Sequence, residues 1–355
     1  MRVLRIYPTA NDARHRCRDL ALRRLGLEVA LVAPNAYGST WGASPIEREM
    51  PHRRARVINK GSIPLHLWDP LALRRAVHEF DPDVVDIHEE PYFPAGAQGV
   101  LAAGCRPVVM QTCQNIAKRL PGPIRALRRW SLNRVAGMYP CSAEAAEVLR
   151  VWGFRRRVSV IPFGVEEDLF DVRPVGERIG FIGRLVPEKG IDDLLDFGPR
   201  LLCVGDGPLA GAVRAVGGEV TAARSTDELA EQLGRMAVLA APSRTTPAWK
   251  EQFGRMIIEA MAAGVPVVAY ASGALPEVMG PDGVLVTEGD RTGLVNAIEA
   301  VLDDPGRLGE QGRARAWSRY RWTVVGERMA DLYRAVLSPT ASVQEVNVRG
   351  AWADA

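Results

Sequence analysis

Two acids stand eight residues apart at Glu251 and Glu259, in the segment Trp249-Lys250-Glu251-Gln252-Phe253-Gly254-Arg255-Met256-Ile257-Ile258-Glu259. Glu259 sits among Ile257, Ile258, Ala260 and Met261 on a helical pattern, so its carboxylate needs donors. Left unpaired and buried, it would either cost several kcal/mol or shift its pKa. A ribose diol or a buried side chain would supply those donors, and the diol is the favoured reading. The amides of Gln252, Phe253 and Gly254 fall at a helix start, where unsatisfied N–H groups and the macrodipole favour anions or sugar oxygens. A first-turn Glu followed by a satisfied core Glu is the purely structural alternative.

A second cluster is Gly183-Arg184-Leu185-Val186-Pro187-Glu188-Lys189-Gly190, after a strand-like run. Arg184 and Lys189 flank the turn. Two cations at a strand's carboxyl end can hold a diphosphate and stabilise the charge that grows on it as a bond to it breaks. The alternative is an ordinary surface pair. A third group is Asp86-Ile87-His88-Glu89-Glu90-Pro91, where His88 and Glu90 end a strand and are candidates for proton handling and acceptor contact. Asn11, Gln114 and Asn115 lie in turns after other strands; they can exchange hydrogen bonds with an acceptor but cannot act as a base near neutral pH.

Two motifs carry less. Gly205-Asp206-Gly207-Pro208-Leu209-Ala210 fits a dinucleotide fingerprint, but it is not the opening turn of the chain and lacks a well-placed acid. Asp81-Pro82-Asp83 has the spacing of a metal-binding acid pair, yet a central Pro reads better as a turn, and no metal is expected.

The elements that must position these residues follow a βα rhythm. Residues 3–7, 28–33, 83–88, 107–112 and 158–162 read as strands, with helices over 12–25 and 143–151. The rhythm restarts after Gly164, with strands over 178–182, 200–204, 237–241, 265–270 and 284–287 and helices near 189–197, 208–216, 225–235, 253–263 and 289–303. Nearly continuous β-branched strands imply parallel sheets covered on both faces. The expectation is α/β: two doubly wound, Rossmann-like domains, over 1–163 and 164–320, facing across a cleft. A helix over 321–338 would pack back on the first domain, and 339–355 would be a loose tail.

The 249–269 segment resembles, nearly residue for residue, the E-x7-E signature of family-4 retaining glycosyltransferases. Residues 183–190 are similar to that family's G-R-x-x-x-x-K-G loop, 160–165 to its V-I-P-N-G-V segment and 272–278 to its S-G-A-x-P-E loop. All four occur in the family's order and cover roughly 160–290. The resemblance implies a GT-B fold and transfer of a sugar from a nucleoside diphosphate sugar, UDP-linked by family frequency, to an acceptor hydroxyl. It implies that Glu251 and the amides of 252–254 touch donor-sugar hydroxyls, that Glu259 binds the ribose, and that Gly183, Arg184 and Lys189 hold the phosphates. No metal or other cofactor is implied, and the departing diphosphate helps to deprotonate the acceptor. The 88–91 turn resembles the family's H-x-H-E-P type, with Glu89 as a variation. The family's Gly-Gly after the first strand and its His after 108–112 are missing, so no role attached to that His carries over. A sugar-nucleotide epimerase or phosphorylase on the same fold, or a non-catalytic docking module, are the alternatives.

Charge is uneven: Lys and Arg exceed acids by 11 over residues 1–163 and fall short by 8 over 164–355, for a net +3. The first half is therefore suited to an anionic partner or has a solvated Arg-rich face. Between Arg106 and Arg157 there are eleven Lys or Arg and two acids, including a basic helix with an apolar stripe near 119–130. It could dock on anionic lipid or an acidic carrier protein, or remain solvated. The acceptor could accordingly be a small molecule, carrier-bound or lipid-linked; nucleic acid is not expected, for lack of interleaved aromatics. Five cysteines without C-x-x-C spacing, no signal-like start and no long apolar span point to a cytoplasmic protein, peripheral to a membrane if lipid docking holds.

Overall fold

The computed structural model describes residues 1–11, 13–35, 46, 50–59 and 63–338. The chain divides into two compact units, Met1–Pro162 joined by the described residues from Val325 onward, and Phe163–Val324. The expected tail over 339–355 lies outside the described residues.

In the first unit the elements are β1 (Arg2–Ile6), α1 (Ala13–Arg24), β2 (Glu28–Pro34), β3 (His52–Ala55), β4 (Val57–Ile58), β5 (Leu67–Trp68), α2 (Pro70–Phe80), β6 (Val84–Ile87) and α3 (Pro94–Ala103). They continue as β7 (Val108–Thr112), α4 (Gly122–Leu132), β8 (Gly137–Pro140), α5 (Ala143–Val151) and β9 (Arg157–Val158). Seven strands form one parallel sheet in the order β3-β2-β1-β6-β7-β8-β9, and β4 pairs with β5 as a small antiparallel ribbon. The sheet is buried on both faces, as its Val- and Ile-rich strands require; β7, Val-Val-Met-Gln-Thr, is buried at every position.

The second unit holds β10 (Arg178–Ile182), β11 (Leu201–Val204), α6 (Ala210–Ala215), β12 (Glu219–Thr221), α7 (Thr226–Gly234), β13 (Met236–Ala241), α8 (Arg255–Ala263) and β14 (Val267–Tyr270). It ends with α9 (Leu275–Met279), β15 (Val284–Val286), α10 (Arg291–Asp303) and α11 (Leu308–Arg319), before α12 (Trp322–Leu337) carries the chain into the first unit. Its six parallel strands run β12-β11-β10-β13-β14-β15. In both sheets the order reverses beside the first strand, between β1 and β6 and between β10 and β13, and an open parallel sheet offers its ligand crevice beyond the carboxyl ends at that point.

Several expected elements differ at their ends. The helix expected over 253–263 starts at Arg255, because Gly254 takes a left-handed conformation with φ 84° and closes the preceding loop. The strand expected from 265 starts at Val267, since Pro266 has no N–H to pair. The one expected over 158–162 shrinks to Arg157–Val158 at the sheet edge. Residues 191–200 form 3-10 turns, not an α-helix, broken by Gly198 and Pro199. β3, β8, α2 and α3 carried no expectation; β8 reads Gly-Met-Tyr-Pro, short and without a β-branched residue.

The first unit has a polar centre. Arg5, only 1% exposed, donates from Nε to Asp86 Oδ2 at 2.8 Å and from Nη1 to Asp19. Tyr139 OH reaches Asp86 Oδ1 at 2.5 Å, and Tyr333 OH of α12 reaches Asp86 Oδ2 at 2.7 Å. Burial alone would lower the Arg5 pKa, but the Asp19 and Asp86 carboxylates outweigh this and raise it well above the ordinary value. Asp86 thereby ties α12 to β1.

Candidate functional site

Three loops of the second unit converge after β10, β13 and β14. The first carries Gly183, Arg184 and Lys189; its Gly190 is left-handed at φ 70°. Lys189 Nζ lies 2.5 Å from Glu251 Oε2, and the same oxygen accepts from Ser243 Oγ at 3.1 Å. The ammonium also sits 5.2 Å from the centre of the Trp249 ring. The third loop closes on the second through Ala274 N, which donates to Glu251 O at 3.0 Å. Gly273, at φ 54°, makes that approach possible, for a Cβ there would stand 2.2 Å from the Glu251 carbonyl oxygen. Lys189 and Glu251 are thus an ion pair 12% and 10% exposed at the sheet's switch point, each available to exchange its partner for a ligand's opposite charge or hydroxyl.

Arg184 differs from Lys189. Its side chain is 62% exposed, and its nearest acid is Glu188 at 3.4 Å, a long surface contact worth little. A guanidinium so loosely held is free to turn toward a diphosphate. Gly183 uses its amide inside the sheet, donating to Val204 O at 3.0 Å. Phe253 buries its ring against Phe163 and Tyr320, with centroids 5.2 and 6.1 Å away, so only its backbone faces outward chemistry. No acceptor meets the amides of Phe253 and Gly254 among the described residues. Gln252 lies between them and Glu251, half-buried.

Glu259 is buried on α8, as the apolar spacing implied, and a protein cation pairs with it. Arg255 Nε lies 2.9 Å from Glu259 Oε1, while Arg255 Nη2 reaches Glu166 Oε1 at 2.8 Å. Reading the sequence missed Arg255, although its i,i+4 spacing to Glu259 was a usable signal. Also missed were Ser243 and Trp249, whose roles depend on a loop conformation. So was the anchor Arg244, which pairs with Asp192 at 2.8 Å and Asp193 at 2.5 Å while Tyr270 OH donates to Asp193 at 2.9 Å.

In the first unit the expected acceptor-side residues occupy the carboxyl ends of β1, β6 and β7, but most are already engaged. Asn11 Nδ2 donates to Pro34 O at 2.9 Å, and its side-chain oxygen accepts from Arg54. Gln114 Nε2 donates to Tyr92 OH at 2.9 Å, and Asn115 Nδ2 to Glu144 Oε2 at 3.1 Å. His88 stacks on Tyr7 with ring centres 5.8 Å apart. Burial, then Arg18, Arg5 and His15, drive its pKa well below the ordinary imidazole value, so at neutral pH it is uncharged. Glu90 behaves otherwise. Burial pushes its carboxyl up to about 7, against the opposing pull of Thr112 Oγ1 at 2.6 Å and Cys113 N at 2.8 Å. Of the two, Glu90 is the group that titrates near neutrality. Glu89 is occupied by His66, whose Nε2 lies 2.7 Å from its Oε1.

No group of three His, Cys, Asp or Glu suited to hold a metal ion occurs among the described residues.

Residues 20–169 match the family model described as Glycosyltransferase Family 4, and 176–304 match that of Glycosyl transferases group 1. The chain is 28% identical to the 2-deoxystreptamine glucosyltransferase of Streptomyces kanamyceticus, over 76% of this chain and 81% of that one. It is 30% identical to the phosphatidyl-myo-inositol mannosyltransferase of Mycobacterium leprae, over 77% and 78%. Among solved structures, sucrose-phosphate synthase from Thermosynechococcus elongatus superposes with a TM-score of 0.74 at 21% identity, covering 95% of this chain and 99% of that one. The two parallel α/β units are therefore those of the GT-B fold.

Proposed function

The chain belongs to the family-4 glycosyltransferases, and on that premise we propose that it transfers a sugar, with retention, from a nucleoside diphosphate sugar to an acceptor hydroxyl without a metal or other cofactor. The observation that carries the donor assignment is the buried pair Lys189–Glu251 with Arg184 beside it, at the switch point of the second unit's sheet. Lys189 and Arg184 neutralise the diphosphate, and their hold strengthens as charge accumulates on it. Glu251 and the amides of 252–254 orient the transferred sugar. Glu259, with one oxygen on Arg255, keeps acceptor capacity for the ribose diol.

On the acceptor side the leaving diphosphate takes the hydroxyl proton, on the face from which it departs. Glu90 and His88 position the acceptor, Glu90 exchanging its proton near neutral pH. The two relatives differ by name in acceptor, an aminocyclitol in one and phosphatidyl-myo-inositol in the other, so acceptor chemistry follows from neither. No helix among the described residues is long and apolar enough to cross a membrane; the working location is cytoplasmic, with the acceptor free, carrier-bound or lipid-linked.

A thermal-shift panel of UDP-, GDP-, ADP- and TDP-sugars tests the donor site. A UDP-sugar is expected to stabilise the parent and to lose that effect in Lys189→Ala. Stabilisation by none of the panel, conversion of the donor without any acceptor, or a requirement for inorganic phosphate overturns the proposal.

A further inference from the structure

The first unit has an open apolar groove between α3 and α4. α3 and α4 line a hollow of ≈ 420 Å³ with Ala97, Leu101, Pro123, Ala126, Leu127 and Trp130. A second hollow of ≈ 400 Å³ adjoins it, sharing Leu101 and Trp130 and extending to Val336. Leu101 is 62% exposed and Ile124, at the start of α4, 38%. The first turn of α4 thus presents an apolar face that its own domain does not cover.

The rim of this groove is cationic. Residues 116–136 contain Lys118, Arg119, Arg125, Arg128, Arg129 and Arg134 and no acid. None of the six forms an ion pair among the described residues; Arg128 lies over the Trp152 ring at 4.6 Å and Arg134 over Trp130 at 4.2 Å. Such a surface repels a like copy of itself and attracts an anionic partner. The lining decides which kind. Apart from the Trp130 indole, the first hollow offers no side-chain donor or acceptor, whereas a protein interface of useful size needs regular hydrogen bonds. Acyl chains need none, and an indole between apolar and wet layers suits a membrane boundary.

We propose that the α3–α4 groove seats the protein on an anionic lipid surface, with Leu101, Ile124 and Leu127 entering the acyl boundary and the arginines of α4 meeting lipid phosphates. α3 follows the His88–Glu90 turn and α4 follows Gln114–Asn115, so the seat adjoins in sequence the loops assigned to the acceptor. The proposal does not rest on the transfer reaction, and its test needs neither donor nor acceptor.

The full chain is sedimented with vesicles of phosphatidylcholine alone and of equal parts phosphatidylcholine and phosphatidylglycerol. Binding is expected to the phosphatidylglycerol vesicles and to weaken as salt rises. Each cation near such a surface is worth about 1 kcal/mol, so the double change Arg125→Glu and Arg129→Glu should lower the partition coefficient at least about tenfold. Leu101→Asn, at an exposed position that leaves every charge in place, should lower it several-fold. Equal binding to both vesicle types, or parent-like binding of the double variant with an unchanged circular dichroism spectrum, overturns the proposal. Binding to neither does so too, and leaves an acidic protein surface as the partner for the same charge.

Discussion

At the residue scale, charge placement separates groups that look alike in sequence. Lys189 and Arg184 are both cations in one turn, yet one is buried against Glu251 and the other is mostly in water. Lys189→Ala should therefore lower kcat/KM by on the order of 10²-fold, the scale of losing a preorganised charge at a departing group. Arg184→Ala should cost activity while leaving the thermal midpoint of the free protein almost unchanged, because its contact with Glu188 is long and at the surface; parent-like turnover would remove it from the proposed donor site. Glu90 and His88, two residues apart, are shifted in opposite directions for one reason: burial penalises whichever form is charged. For Glu90 the folded state holds the proton more tightly than the unfolded chain does. Its contribution to stability is complete below about pH 4.5 and declines as pH rises toward about 7. Glu90→Gln should thus gain in thermal midpoint relative to the parent between about pH 5 and about pH 8. A pH-independent difference between the two would show that Glu90 is not perturbed.

Among elements, the second unit's site depends on how closely backbones approach. The β14 loop reaches Glu251 only because Gly273 has no Cβ, and no flexible side chain could yield there, since the obstacle is a carbonyl oxygen 2.2 Å away. Gly273→Ala is expected to displace Glu251 and raise the dissociation constant for the nucleotide sugar by about tenfold or more, with secondary structure retained by circular dichroism. Unchanged donor affinity in a titration would show that this approach does not set the site. Gly254 acts in the same way at the start of α8, where its left-handed turn ends the loop two residues later than the helical pattern alone suggests. The strand-end residues His88 and Glu90 were legible from the sequence because β6 and its turn are short and strongly patterned. Asn11, Gln114 and Asn115 were legible as turn residues only. Their commitment to Pro34, Tyr92 and Glu144 comes from a neighbouring strand, turn and helix that no local pattern names.

In the molecule as a whole, α12 from Val325 onward belongs to the first unit. Tyr333 of α12 shares Asp86 with Arg5 and Tyr139, joining residues 247 apart in sequence. Tyr333→Phe removes a hydrogen bond to a buried charge and should cost about 2 kcal/mol, read as an earlier urea midpoint for unfolding of the first unit. An unchanged midpoint would mean that α12 is held by its apolar face alone. The sequence by itself determined the βα rhythm, the parallel sheets and the motifs proposed to hold the donor, because period and turn chemistry act over a few residues. It also determined which residues are acids and cations at strand ends. Tertiary structure alone decided that Lys189 meets Glu251, that Arg255 meets Glu166, that Glu90 is pushed toward neutrality, and that α3 and α4 leave an apolar groove within an arginine rim. Pairing, burial and exposure are set by which distant segments pack together, and burial is what shifts a charge.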